Sequence, residues 1–250
     1  MPNLSIFKVP EGNPREIRFL RLLTEQRIAK AAIHLLQNIG RMDVNTEIGG
    51  LSLFNHAIIA FENCRSVESC QIYRSMLTVM LNNGARLNDY NEDYQTTLFT
   101  MLCNCPINQK LLDLMLLRGA WVNPEDHLTD KTIVKTPLGE MATNFNTAMT
   151  HTLLKSGANP TSNVLTNQSS FDDILDYLLV VAAEQDYFES AELTINVAQI
   201  ISLLVKSGVQ LRQEHLNFMQ AESSDKGYNL ELKQLITALE QNILTPTLSI

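Results

Sequence analysis

Gly84-Ala85-Arg86-Leu87-Asn88 and Gly119-Ala120-Trp121-Val122-Asn123 share one pattern: glycine, alanine, a variable residue, an aliphatic residue and asparagine. Gly157-Ala158-Asn159-Pro160 opens in the same way. Each glycine closes a stretch with apolar residues at helical spacing, ending Leu81-Asn82-Asn83, Leu117-Arg118 or Leu154-Lys155-Ser156. Two further stretches end alike, at Leu36-Gln37-Asn38-Ile39-Gly40 and Val205-Lys206-Ser207-Gly208. A glycine in that place suits the left-handed backbone just past a helix end, where a Cβ would be strained. Five helix ends of one design imply a repeat.

A second anchor follows each of the first four glycines: Ser52-Leu53-Phe54-Asn55, Thr96-Thr97-Leu98-Phe99, Thr136-Pro137-Leu138-Gly139 and Ser169-Ser170-Phe171-Asp172. The hydroxyl residue can cap the next helix, and Pro137 falls in a first turn, where no amide partner is lost. Fourteen residues separate Gly40 from Phe54, Gly84 from Leu98 and Gly157 from Phe171; nineteen separate Gly119 from Leu138. These anchors and intervals resemble the ankyrin repeat, with its G-A-D-V-N, T-P-L-H-x-A and L-L-x-x-G signatures. The resemblance implies an all-α, ankyrin-like solenoid of antiparallel helix pairs with long finger loops, and a role in holding a protein partner. The histidine of T-P-L-H is missing throughout, with Asn55, Phe99, Gly139 and Asp172 in its place, so these turns are expected to be held less tightly.

The periodicity predicts six helix pairs: Arg15–Leu23 with Glu25–Asn38, Leu51–Asn63 with Glu68–Asn82, and Gln95–Cys103 with Asn108–Leu117. Thr136–Phe145 then pairs with Thr147–Lys155, Ser170–Ala183 with Ala191–Lys206, and Gln213–Ala221 with Leu230–Gln241. One domain over 1–250 is expected, with a capping pair in 1–40, irregular repeats in 41–208, and a second capping pair and tail in 209–250. The cations Arg15, Arg18, Arg21, Arg27 and Lys30 read as the solvent-facing side of the first cap. Set against the family period, extra residues lie around Glu62–Ser69 and Ala183–Thr194. They read as longer helices or, at the acidic second stretch, as a projecting corner. Glu222–Gly227 reads as a polar linker and Thr245–Ile250 as a frayed tail.

The chain is 45% hydrophobic and 18% charged, with ten glycines and eight prolines in 250 residues, which suits a helical fold with a real core. A net charge of −8 without a basic stripe argues against a nucleic-acid partner. The longest apolar run, Leu178 to Ala183, is too short to span a bilayer, and Met1–Gly12 holds no signal-peptide core. A monomer acting in the cytoplasm is the expectation. Cys64, Cys70, Cys103 and Cys105 lack zinc-ribbon spacing, so reduced thiols packed in helices, and no metal or cofactor, are expected.

The five histidines fall in different repeats, and no nucleophile elbow, H-E-x-x-H, P-loop or dinucleotide glycine pattern is present. A non-catalytic module is therefore the expectation. The rival is an enzyme around His127, which lies beside Glu125, Asp126 and Asp130 and could be paired on paper with Cys103 or Cys105. The resemblance places the third residue of each glycine motif, Arg86, Trp121 and Asn159, on the outward side of a concave finger and first-helix surface. Trp121 is the single tryptophan, and Trp beside Arg is the composition of an interface anchor. The other reading buries it under the long finger 124–135. Tyr90 and Tyr94, interleaved with acids, and His127 complete the partner-binding set. The irregular repeats and Asn/Thr/Gln richness resemble ankyrin-containing effectors that intracellular bacteria deliver into host cells.

Overall fold

A computed structural model describes residues 13–130, 135–161, 164–165, 170–171, 174–184 and 191–225, with 234, 236 and 237. Its α-helices run in chain order as α1 Pro14–Thr24, α2 Ile28–Asn38, α3 Leu53–Glu62, α4 Val67–Asn82, α5 Leu98–Cys103 and α6 Gln109–Leu117. Then follow α7 Pro137–Thr143, α8 Thr147–Lys155, α9 Ile174–Glu184, α10 Ala191–Lys206 and α11 Gln213–Asp225. Three two-stranded antiparallel hairpins stand between pairs: β1 Glu47–Ile48 with β2 Leu51–Ser52, β3 Tyr90–Asn91 with β4 Thr96–Thr97, and β5 Val164–Leu165 with β6 Ser170–Phe171. In the first and third, Glu47 faces Ser52 and Val164 faces Phe171. The fold is the ankyrin-like all-α architecture, helices in antiparallel pairs, that the repeat implies.

The helix ends follow from single residues. Ser52, Thr97 and Thr136 each accept, through the side-chain hydroxyl, the N–H three residues on, at 3.0, 3.3 and 3.1 Å. That capping bond removes one of the orphaned donors of a first turn. Gly84, Gly119, Gly157 and Gly208 sit at φ between 81° and 109°, and the next residue's N–H reaches back across the turn. Ala85 bonds Met80 O at 3.1 Å and Ala120 bonds Met115 O at 3.1 Å. Gly40 departs from this pattern: α2 runs straight on into a 3-10 turn, Ile39–Arg41, so no left-handed residue is needed there. That extra turn sets Asn45 five residues beyond its glycine, where Asn88 stands four beyond Gly84.

The chain divides into two compact units, residues to Asp93 with Thr97–Trp121, and Tyr94–Thr96 with residues from Val122 on. In the first, α1 packs on α3 and α3 on α5, while α2 packs on α4 and α4 on α6, giving one row of first helices and one of second helices. Phe19, Leu35, Phe54, Phe61, Leu77 and Phe99 are fully buried between the rows. Each such side chain contributes about 2 kcal/mol by leaving water. In the second unit α7, α9 and α11 form one row and α8 and α10 the other, around Leu138, Leu178, Ile200, Leu204 and Met219. A lone pair cannot cover its apolar stripe; the next pair covers it.

Two expectations change here. The extra residues near Glu62–Ser69 lengthen α4 to 16 residues. They also bring the Cα atoms of Cys64 and Cys70 to 5.8 Å, and the two are joined as a disulfide rather than reduced. The turn between α3 and α4 folds Cys64 back over the first turn of α4, a separation that a disulfide spans. The polar stretch after Ala221 continues α11 to Asp225 instead of forming a linker from Glu222. Of the helix expected at Leu230–Gln241 only residues 234, 236 and 237 are described, and they are helical; of the stretch Ala183–Thr194, Ala183 and Glu184 end α9 and Ala191–Thr194 open α10, while 185–190 lie outside the described residues.

Candidate functional site

The fingers are tied together by their asparagines. Asn45 donates through Nδ2 to Gly84 O at 2.9 Å and accepts the Arg86 N–H on Oδ1 at 3.0 Å. Asn88 repeats both bonds to the next finger, to Gly119 O at 2.9 Å and from the Trp121 N–H at 2.9 Å. In the second unit Asn123 bonds Gly157 O at 2.9 Å and the Asn159 N–H at 2.7 Å. One carboxamide has both a donor and an acceptor, so it closes a ring onto the two backbone groups left open where a helix ends. The first two fingers are also clamped to the helix that follows: the N–H groups of Leu53 and Phe54 donate to Thr46 O and Val44 O at 3.1 and 3.0 Å, and those of Leu98 and Phe99 to Asp89 O and Leu87 O at 3.0 and 2.7 Å. The missing T-P-L-H histidine is replaced once, by His56, whose Nε2 lies 2.9 Å from Ile48 O in β1.

The variable third residues thus project from a backbone held on both sides. In the first unit Arg86 is exposed, Trp121 is half-buried and Tyr90, in β3, is half-buried. Trp121 stands between the two readings of it, neither a fully exposed anchor nor a core residue. The Asp89 side chain is exposed, yet partial desolvation pushes its carboxyl above the ordinary range, an effect that Arg86 opposes and Glu47 reinforces. In the second unit Tyr94 is 41% exposed, His127 is exposed at the end of a 3-10 turn, Pro124–Asp126, and Asn159 is exposed. Asn159 spends its side chain locally, accepting the Thr161 N–H and hydroxyl at 3.0 and 2.9 Å.

Cys103 and Cys105 are buried, and the Cys105 thiol faces Met101 O at 3.4 Å, a packing role. Among the described residues no group of three or more His, Cys, Asp or Glu is placed to hold a metal ion. The described helices include none long and apolar enough to cross a membrane.

A polar cluster in the second unit was not anticipated from the sequence. Arg212 Nη2 donates to Asp176 Oδ1 and Oδ2 at 2.6 and 2.5 Å, and His215 Nε2 lies 2.7 Å from Asp176 Oδ1. His215 Nδ1 accepts the Arg212 N–H at 3.1 Å, and the Arg212 Nε lies 3.3 Å from His215 Nε2. Burial raises the Asp176 carboxyl, but the hydrogen bonds from Arg212 and His215 outweigh it and hold the group below its ordinary value. Arg212 stands four residues past Gly208, as Asn88 stands four past Gly84. That position was the signal.

The chain is similar to an ankyrin repeat domain from Acinetobacter baumannii AYE, with a TM-score of 0.55 and 16% identity over 90% of this chain and 98% of that one. At that identity the likeness concerns the fold. No protein-family model and no curated protein matches the sequence. The chain therefore has the fold of an ankyrin-repeat domain.

Proposed function

We propose that this chain is a non-catalytic protein-binding module whose finger tips and first helices grip a protein partner. The observation that supports it is the asparagine ladder: it holds the finger backbones rigid while the residue at the third position varies from Arg86 to Trp121 to Asn159. A rigid frame with variable outward side chains loses little entropy on binding. In the first unit Trp121, Arg86 and Tyr90 are the binding residues; in the second, Tyr94, His127 and Asn159. Trp and Arg supply the largest share of energy at such interfaces. The finer reading, an effector working on a host protein in the host cytoplasm, rests on the irregular repeats and the Asn/Thr/Gln-rich composition.

The test is affinity capture from a eukaryotic lysate with wild-type and Trp121→Ala baits. Because the Trp121 backbone bond to Asn88 survives the substitution, the variant should melt with the wild type yet bind the captured protein at least about 30-fold more weakly, roughly 2 kcal/mol. If Trp121→Ala instead unfolds the first unit, the ring is core and the interface reading fails.

A further inference from the structure

The first helix pair carries an open groove of about 1610 Å³ between α1 and α2. Sequence periodicity placed its cations on a solvated cap; the structure converges them. Arg15, Arg18, Arg21, Arg27 and Lys30 line the groove, against the single carboxylate of Glu25. Glu25 accepts from Arg21 Nε at 2.7 Å and from Arg27 Nη1 at 3.3 Å, so its charge is already shared between two cations. Among the described residues Arg18 and Lys30 have no ion-pair partner. Between the cations the groove is aliphatic: Ile17 and Leu22 line it, with Ile33, which is 55% exposed.

We infer that this groove docks an acidic amphipathic segment of a protein partner, by a surface separate from the finger tips of the proposed function. Charge decides the chemistry. Residues 13–41 hold six Arg or Lys against two Glu, a net +4 in a chain of −8, which leaves −12 on the remainder. A long polyanion, nucleic acid or anionic membrane, would meet that remainder and be repelled. A short segment meets the groove alone, because charges beyond about 8 Å are screened at physiological salt. The aliphatic strip has no use in gripping a phosphate backbone, whereas leucines between carboxylates would cover Ile17 and Ile33 while the carboxylates reach Arg18 and Lys30. The volume exceeds the roughly 300–1,000 Å³ of a small-molecule pocket and suits a length of chain.

The experiment is fluorescence anisotropy of the full chain with a labelled 16-residue peptide of Glu with Leu at positions i, i+3, i+4 and i+7. Binding is expected at 50 mM salt and at least tenfold weaker at 300 mM. Arg18→Glu with Lys30→Glu should weaken it at least tenfold with unchanged melting. The pair Arg18→Gln and Lys30→Gln gives the same reading should the reversed charges disturb the helices. Ile33→Ser should weaken it severalfold, and Trp121→Ala should leave it unchanged, which separates this surface from the fingers. The inference is overturned if the peptide does not bind, if the double variant binds it equally, or if replacing its leucines by serine changes nothing. It is equally overturned if a single-stranded oligonucleotide or phosphatidylserine vesicles bind as well as the peptide. A salt-sensitive dimer in sedimentation, abolished by the same double variant, would overturn it too, by giving the groove to a second copy.

Discussion

The fingers at Asn88 and at Arg212 occupy the same place in the repeat, four residues past a helix-ending glycine, and hold their neighbours by different physics. Asn88 reaches forward to the backbone of the next finger with two neutral bonds of 2.9 Å. Arg212 reaches back to the α9 carboxylate of Asp176, with His215 as the third member. A carboxamide needs an adjacent open backbone, so it works in the interior of a stack. At Arg212 the chain turns directly into α11, and a long charged side chain finds a charged side chain instead. The neutral tie is indifferent to pH and tolerant of solvent. The charged one is stronger and conditional, since partly buried charges hold only while all are paired.

The largest effect should come from breaking the charged tie. Asp176→Ala leaves the buried His215 Nε2 without this acceptor and removes the carboxylate that both Nη2 bonds of Arg212 reach, for an expected loss of about 3 kcal/mol. Asn88→Ala removes two neutral bonds and should lose about 2 kcal/mol. Both are read from urea midpoints followed by circular dichroism. Equal losses, or a larger one at Asn88, would erase the distinction drawn between the two ties.

Acid sharpens the same contrast. The folded state holds the Asp176 carboxyl below its ordinary value, so it favours the ionised form. That contribution is complete above about pH 5, where an unfolded-chain aspartate is almost fully ionised, and is lost as pH falls through the lower folded value. The stability gap between wild type and Asp176→Asn should therefore be widest near pH 6 and shrink on titration to pH 3. For Asn88→Ala the gap should stay constant over the same range. A constant gap at Asp176 would mean that the carboxylate is not held in its ionised form by Arg212 and His215.

What could be read from the sequence was whatever one residue type must do alone. A left-handed helix end calls for glycine, and a first turn calls for Ser or Thr, so Gly84, Gly119, Gly157, Thr97 and Thr136 marked their helices before any coordinates. Bonds between elements were not legible. Asn88 was visible as a motif letter, but its partners lie 31 and 33 residues on and exist only once two fingers are side by side. Asp176 and Arg212 are 36 residues apart across a pair whose length departs from the family period. The Cys64–Cys70 bond depended on how tightly the α3–α4 turn closes, which spacing does not specify. The cations of the first pair were seen one by one; only the approach of α1 to α2 makes them a groove. For the finger residues, position was legible and coverage was not: Trp121 holds the expected register while its ring is half-buried.

The smallest effect tests where the regular fingers begin. Gly84 sits at φ +85°, where a side chain is strained, and a Cβ there would meet nothing within 4 Å. Gly84→Ala should therefore cost about 1 kcal/mol through backbone strain alone. Gly40 has the same open surroundings but lies in a 3-10 turn without a positive φ. Alanine there meets no strain in the fold and restricts the unfolded chain, so Gly40→Ala should raise stability by about 0.5 kcal/mol. The two substitutions are chemically identical and sit at matching places in the repeat, so opposite signs in the urea midpoint can come only from the local backbone. A loss at Gly40 equal to that at Gly84 would place the first helix end in the left-handed conformation and remove the 3-10 turn that sets Asn45 five residues, rather than four, beyond its glycine.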